Sequence, residues 1–185
     1  MKVLNVHQRE LPVSASRAGT LLDSLASPAD ALWPRRTWPP MRLDRPLGVG
    51  AVGGHGPIRY VVEEYTRGEC VCFRFSAPPG FDGQHRFDVV SLGHDRSLLR
   101  HTLAMRTSGA ARLTWPLVFR PLHDALIEDA FAEAETALGL PRHEHPWSIG
   151  VRVLRWVTGG RRRARRGMHP PPTNTGTARP ADEGS

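Results

Sequence analysis

The clearest pattern in the chain is an alternation of apolar and polar residues between residues 58 and 107. Side chains point alternately to the two faces of a β-strand, so a period of two predicts strands with one buried and one wet face. Glycine and proline turns divide this stretch into four strands, and a fifth begins near the amino terminus. The predicted strands are residues 2–10, 58–65, 69–77, 84–92 and 97–107.

A helical pattern follows the strands and predicts one long helix over residues 116–138. Its apolar residues recur at intervals of three and four, and Gly139 then ends it. Pro121 marks either a kink or the true start, because proline lacks the amide hydrogen that a helix interior requires. Two short helices are predicted nearer the amino terminus, capped by Ser14 and Ser27.

This order of elements predicts an α+β fold, in which a curved antiparallel sheet of six or seven strands wraps around the long helix. The glycines between residues 48 and 56 predict a bulged, sharply bent strand at the rim of the sheet. A sheet that curves around a helix tends to leave a cavity between the two. Cavities of that kind bind apolar small molecules, so the sequence predicts a ligand site under the helix.

The more apolar face of the predicted strands supplies the candidate site residues. Aromatic and flexible apolar side chains would form the walls of a cavity, and a few polar groups would orient its ligand. The predicted wall residues are Phe73, Phe75, Phe87, Met105 and Phe119. The predicted polar groups are Tyr60, His85 and His101, with His123 joining them from the start of the long helix.

Three of these histidines are open to other interpretations. His85, His101 and His123 would hold zinc only if their positions converge, which sequence spacing does not show. A buried histidine bonded to a neighbouring carbonyl or carboxylate is the more common outcome. We prefer a third interpretation, in which a polar histidine fixes an otherwise apolar ligand without a metal ion or another cofactor.

Composition argues against nucleic-acid recognition by the domain. The chain of 185 residues has a net charge of +7, yet residues 141–185 alone carry nine arginines against three acidic residues. Residues 1–140 are therefore close to neutral and predict no basic face. Gly48 to Gly53 matches the dinucleotide motif G-x-G-x-x-G, but neighbouring prolines and glycines leave no room for the helix that this motif needs. The two cysteines, Cys70 and Cys72, are too few for a disulfide framework.

Beyond a predicted domain of residues 1–140, the chain continues as an apolar and basic extension over residues 141–167. Residues 147–166 would either dock on the domain or lie on an anionic membrane surface. In the membrane interpretation, four apolar side chains would enter the membrane interface: Trp147, Val151, Leu154 and Trp156. Residues 168–185 are rich in proline, threonine, glycine and alanine and are predicted to be disordered. Neither a secretory signal nor a membrane span is evident, so a cytoplasmic location is expected.

Three segments carry a resemblance to a known family. They are GPIRYVVEEY at 56–65, GFDGQHRF at 80–87 and WPLVFRPLHD at 115–124. With the order of elements over residues 1–140, they resemble an actinobacterial group within the START-like superfamily called SRPBCC. This resemblance implies the helix-grip fold of Bet v 1, with a deep apolar cavity between sheet and long helix. Members include carriers, hormone receptors, polyketide cyclases and co-chaperone activators, so the resemblance does not determine an activity.

The function expected from these observations is non-catalytic binding of an apolar or aromatic small molecule, such as a lipid-like or polyketide-like compound. The alternative is a cyclase or dehydratase in which His85 or His101 serves as general acid or base. A third hypothesis is an interaction protein that contacts an anionic membrane through residues 147–166. The resemblance supplies no catalytic motif, and the sequence leaves the oligomeric state open.

Overall fold

The sheet is antiparallel throughout and has seven strands. A computed structural model describes residues 1–166 and gives side chains through residue 157. Its strands are β1 (Lys2–Leu11), β2 (Arg42–Leu43), β3 (Val52–His55), β4 (Ile58–Thr66), β5 (Cys70–Ala77), β6 (Phe81–Gly93) and β7 (Arg96–Thr107). They lie side by side in the order β1-β7-β6-β5-β4-β3-β2. The predicted antiparallel sheet of six or seven strands is confirmed, and the predicted disorder of residues 168–185 lies outside the described residues.

The helices are α1 (Ala15–Asp23), α2 (Ala111–Thr114), α3 (Arg120–Ala137) and α4 (Ile149–Arg166), and a π-helical turn (Trp115–Phe119) joins α2 to α3. The long helix predicted over residues 116–138 is thus this turn followed by α3. Arg120 donates its amide to the carbonyl of Trp115 instead of the residue four positions back. Pro121 explains the wide turn, because its ring would clash with the carbonyl four residues earlier in an α-helix.

The prediction of a second short helix at Ser27 is wrong. The chain makes turns there, and Ala26 takes a left-handed conformation with φ of 60°. Asp30 stabilises these turns because its carboxylate accepts the amides of Ala26 and Trp33 at 2.9 and 2.8 Å. Side-chain acceptors of this kind compete with helical hydrogen bonds for backbone donors.

The glycine-rich segment forms β3, the second strand from one end of the sheet. Its pairings with β2 and β4 are in continuous register, so the predicted bulge is not seen there. β3 lies between β2 and β4, with Gly53 opposite Leu43 and Tyr60. A Cβ atom on Gly53 would lie 1.9 Å from the carbonyl oxygen of Arg42. Only glycine therefore allows the two backbones to approach this closely.

The core lies between one face of the sheet and the helices α1 and α3. The predicted inward face of β5, β6 and β7 is brought together by their register, which pairs Phe73 with His85 and His85 with Leu103. From α3, Ile127 and Phe131 reach this core and are almost fully buried. The packing of this helix against the sheet gives the helix-grip architecture that the sequence predicts.

A row of polar side chains joins the edge strand β1 to α3, and we call it the polar seam: Asn5, His7, Arg9, Asp124, Glu128 and Glu135. His7 lies at its centre, with Nδ1 2.8 Å from Glu128 Oε1 and Nε2 3.2 Å from Asp124 Oδ1. Arg9 bonds to Glu128 Oε2 at 2.9 Å and to Glu135 Oε1 at 2.6 Å. These charges are buried as pairs, which limits the cost of removing each from water.

The seam keeps His7 charged near neutral pH. Hydrogen bonds to Asp124 and Glu128 raise the pKa of His7 to about 9, although burial opposes the shift. His7 in turn lowers the pKa of Glu128. The imidazolium is therefore a stabilising link between strand and helix, and it is lost when the ring deprotonates.

We predict that His7 makes the stability of the fold sensitive to alkaline pH. A histidine whose pKa rises on folding stabilises fully below its unfolded value near 6.5, and this contribution disappears as pH rises through about 9. Between pH 7 and pH 10 the unfolding free energy of the native chain should therefore fall by about 2 kcal/mol more than that of a His7→Gln variant.

Chemical denaturation of both proteins across this pH range measures the difference. His94→Gln is the matched control, because His94 is exposed and pairs only with its neighbour Asp95 among the described contacts. Parallel pH profiles for the native chain and His7→Gln would contradict the prediction.

Candidate functional site

A cavity of about 600 Å³ lies between the sheet and α3. Six parts of the chain line it. They are the loop over residues 33–39, the β3–β4 hairpin, strands β5 to β7, the π-helical turn, α3 and one residue of α4. This volume falls within the range of small-molecule sites in proteins.

Aromatic side chains form one wall of the cavity. The ring of Phe81 lies at its centre, 5.8 Å from Phe75, 5.0 Å from Phe119 and 6.0 Å from Trp115 between ring centroids. All three contacts are edge-to-face, an arrangement in which the positive edge of one ring meets the negative face of another. The wall is preorganised and apolar, and it suits flat or aliphatic groups.

Histidines supply most of the polar atoms of the cavity. His101 Nε2 lies 3.4 Å from His85 Nδ1, and the rings of His101 and His123 are 5.0 Å apart. The second nitrogens of the pair, His85 Nε2 and His101 Nδ1, are buried without a hydrogen-bond partner, as is His123 Nε2. His123 Nδ1 lies 3.5 Å from Asp124 Oδ1. Buried polar atoms normally have partners, so the three unpartnered nitrogens mark places where a ligand would gain hydrogen bonds.

These histidines are neutral near pH 7. Burial lowers the pKa values of His85, His101 and His123, and it lowers that of His55 to about 3. A neutral imidazole has one donor and one acceptor nitrogen. The cavity therefore offers hydrogen bonds of both kinds to a ligand without presenting a cluster of positive charge.

The structure places five of the nine predicted site residues on the cavity surface: Phe75, His85, His101, Phe119 and His123. The other four, Tyr60, Phe73, Phe87 and Met105, are buried outside that lining. Phe73 stacks on His85 with centroids 4.9 Å apart, and Phe87 contacts the ring of His101 at 4.5 Å. Tyr60 lies 3.2 Å from His55 Nδ1 through its hydroxyl. All four residues lie on the inward face of the sheet, behind the side chains that line the cavity.

Sequence reasoning missed several residues that line the cavity: Trp33, Trp38, His55, Phe81, Trp115 and Arg155. Trp33, Trp38 and Arg155 come from an irregular loop and from the extension, where no periodic pattern shows which side faces inward. The other three lie at the ends of regular elements, where such a pattern begins or stops. The density of tryptophan in residues 33–38 is the one signal that was available, since large aromatic side chains in an irregular segment tend to be buried.

The candidate metal ligands in the structure differ from the three histidines considered from the sequence. Among the described residues, the group with its ligand atoms within 4.8 Å of one another is His7, His123 and Asp124, and it does not include His85 or His101. Both nitrogens of His7 lie within hydrogen-bonding distance of carboxylates. The closeness of His7 and Asp124 in this group is therefore explained by the hydrogen bonds of the polar seam.

One side of the cavity is bordered by contacts between the domain and its extension. We call these four residues the tryptophan clasp: Trp38, Asp129, Trp147 and Arg155. Asp129 Oδ2 accepts both indole N–H groups, from Trp38 at 2.7 Å and from Trp147 at 3.1 Å. The guanidinium carbon of Arg155 lies 4.1 Å from each indole centroid. Of the two interpretations of the extension, docking on the domain is therefore the one that the described part adopts.

Comparison with known proteins agrees with this architecture. No family model and no curated protein sequence matches the chain. Among solved structures, norcoclaurine synthase from Thalictrum flavum, in complex with dopamine and hydroxybenzaldehyde, is similar with a TM-score of 0.57 and 16% identity, over 79% of this chain and 90% of that one. A protein from Thermobifida fusca gives 0.57 and 18%, over 77% and 97%. CalU16 from Micromonospora echinospora gives 0.53 and 12%, over 89% and 96%. At these identities the similarity shows the fold alone, and the chain has the helix-grip fold of the Bet v 1-like, or SRPBCC, proteins.

Proposed function

We propose that the protein binds an apolar or aromatic small molecule, of lipid-like or polyketide-like character, in its internal cavity. The observation that carries this proposal is an aromatic cavity of about 600 Å³ that contains buried nitrogen atoms without partners. An apolar body would fill the space against Phe75, Phe81 and Phe119. A hydroxyl or carbonyl on the ligand would bond to His85, His101 or His123 and satisfy atoms that are costly to leave alone.

The similar fold of norcoclaurine synthase supports this proposal at the level of architecture. That enzyme is seen in complex with dopamine and hydroxybenzaldehyde, which are two small aromatic compounds. Its fold therefore accommodates such molecules, while the ligand of the present chain has to be found by experiment. The expected cytoplasmic location likewise remains a prediction.

A tryptophan placed inside the cavity should weaken binding. Val118 lines the cavity, whereas its neighbour Leu117 is 69% exposed on the same π-helical turn. We expect Val118→Trp to weaken binding of the apolar dye Nile red by about tenfold or more, because the indole would occupy the ligand space. Leu117→Trp is the matched control and should bind like the native chain.

Fluorescence titration measures the dye, and native mass spectrometry of freshly purified protein identifies any ligand that co-purifies. Leu122→Phe, a smaller change at a second lining position, separates filling of the cavity from damage to the fold. Equal affinities for all four proteins, with no co-purifying ligand, would count against a binding cavity.

A second candidate function is catalysis of a cyclisation or dehydration on a polyketide-like substrate. The contact of 3.4 Å between His85 Nδ1 and His101 Nε2 favours it, because a pair of neutral imidazoles can accept one proton and donate another. No aspartate or glutamate lines the cavity among the described residues. Catalysis would therefore depend on the histidines, and binding without chemistry remains our first proposal.

If the pair is catalytic, a double variant His85→Asn, His101→Asn should lose about 100-fold or more of the turnover of a synthetic triketide thioester. Nile red affinity, measured in parallel, should change little, which distinguishes loss of chemistry from loss of the cavity. The control is His94→Asn on an exposed turn. Turnover that survives in the double variant would exclude general acid–base catalysis by this pair.

A third candidate is membrane association through α4. Docking turns Trp147 and Val151 toward the domain, so they are unavailable to a membrane, in contrast to the set predicted from sequence. The outward side of α4 instead carries an apolar stripe at helical spacing: Ile149, Val153, Trp156 and Val157. An arginine run follows over residues 161–166 in the sequence. An amphipathic helix beside basic residues is typical of proteins that bind anionic membranes. No helix among the described residues has the length and apolar character needed to cross a bilayer.

Acidic substitutions on this stripe should release the protein from anionic vesicles. We expect Val153→Asp, Trp156→Asp to reduce co-sedimentation with phosphatidylserine-containing vesicles about tenfold, and raised salt to weaken binding of the native chain. Leu4→Asp is the control, since Leu4 is exposed on the far side of β1. Binding that is indifferent to lipid charge, or to the substitutions, would rule out this function.

A further inference from the structure

The lining of the cavity has an uneven distribution of charge. Its described residues include no carboxylate, and its four histidines are held neutral by burial. Arg155 is the one lining side chain with a permanent charge among them. A single cation at the edge of an apolar space indicates which charge a ligand can carry there.

Arg155 is held in place by the tryptophan clasp. Its guanidinium carbon lies 4.1 Å from the ring centroids of both Trp38 and Trp147, which contact each other edge to face at 5.8 Å. Nη2 donates a hydrogen bond to the carbonyl of Thr37. Thr37 and Trp38 also line the cavity, so the cation belongs to the wall that they form. A guanidinium has five N–H donors in a fixed plane, and the contacts with both indoles and with Thr37 restrain it before a ligand arrives.

Burial makes this position favourable for an anion. Desolvation lowers the pKa of Arg155 by more than the charge of the nearby Asp129 carboxylate raises it, so the surroundings still penalise the positive charge. An anionic group placed against the guanidinium would compensate that penalty through charge-assisted hydrogen bonds. The same group would be strongly disfavoured elsewhere in the cavity, where the walls are apolar and uncharged.

We propose that the cavity selects apolar or aromatic acids, and that Arg155 binds their carboxylate at the clasp while the body of the ligand fills the space under α3. The proposal rests on the proposed binding function and adds the class of ligand. It also assigns a binding role to α4, which lies after the predicted domain of residues 1–140. A ligand held in this way contacts both the helix-grip domain and its extension.

A pair of probes that differ in charge but not in size tests the proposal. Naphthalene-2-acetic acid and naphthalene-2-acetamide share the same aromatic body, and isothermal titration calorimetry gives the affinity of the full-length protein for each. We expect the native chain to bind the acid about tenfold more tightly than the amide, as one charge-assisted contact would provide.

Variants then show whether Arg155 causes the preference. Arg155→Gln should bind acid and amide equally, because the charge that distinguishes them is gone, and Arg155→Lys should keep part of the preference because it retains charge without the planar group. Arg152→Gln is the matched control, since Arg152 is an exposed arginine one turn earlier on α4. This control should behave like the native chain.

The outcomes separate the two proposals. Equal affinity of the native chain for acid and amide, or a preference that survives in Arg155→Gln, would overturn the role of Arg155 and leave ligand binding intact. Loss of amide affinity in Arg155→Gln, together with that of the acid, would show that Arg155 only holds the clasp closed and would also overturn it. Failure of acid, amide and Nile red alike to bind the native chain would overturn ligand binding itself.

Discussion

The architecture depends on the polar seam between β1 and α3. A helix that packs on a sheet only through apolar side chains tends to settle closely and fill the space with interdigitating groups. Here His7 and Arg9 hold the helix through Glu128, so charged pairs fix its position along one edge of the sheet. Beyond that edge Phe131 packs α3 into the core, while Leu122, His123 and Leu126 in the first half of the helix border the cavity.

Two parts of the cavity lining come from features that regular helix and strand cannot provide. At the start of α3, Pro121 requires a wider turn, and the π-helical segment places Val118 and Phe119 on the lining. In the second part, the tryptophan clasp brings the loop after α1 and the extension onto the same carboxylate, that of Asp129. In the clasp, Asp129 accepts hydrogen bonds from two indoles that would otherwise lack a partner. At the start of α3, the wider turn avoids a clash with the ring of Pro121.

The electrostatic character of the site follows from the burial of its side chains. Imidazoles cut off from water are neutral, while an imidazole in the seam, between two carboxylates, is charged. The same residue type therefore stabilises the fold at His7 and offers uncharged hydrogen bonds at His85 and His101. Desolvation and the presence of a carboxylate partner decide between the two roles.

Sequence alone determined the five longer strands, the long helix and the inward face, because alternation and helical spacing record which side of an element is buried. It thereby located Phe75, His85, His101 and Phe119 correctly on the lining. Only the tertiary structure decided that Tyr60 and Phe73 lie behind the lining, that β1 meets α3 through charges, and that Arg155 reaches the cavity. These facts depend on contacts between residues far apart in the chain, such as Arg155 with Trp38, and a local pattern carries no record of such contacts.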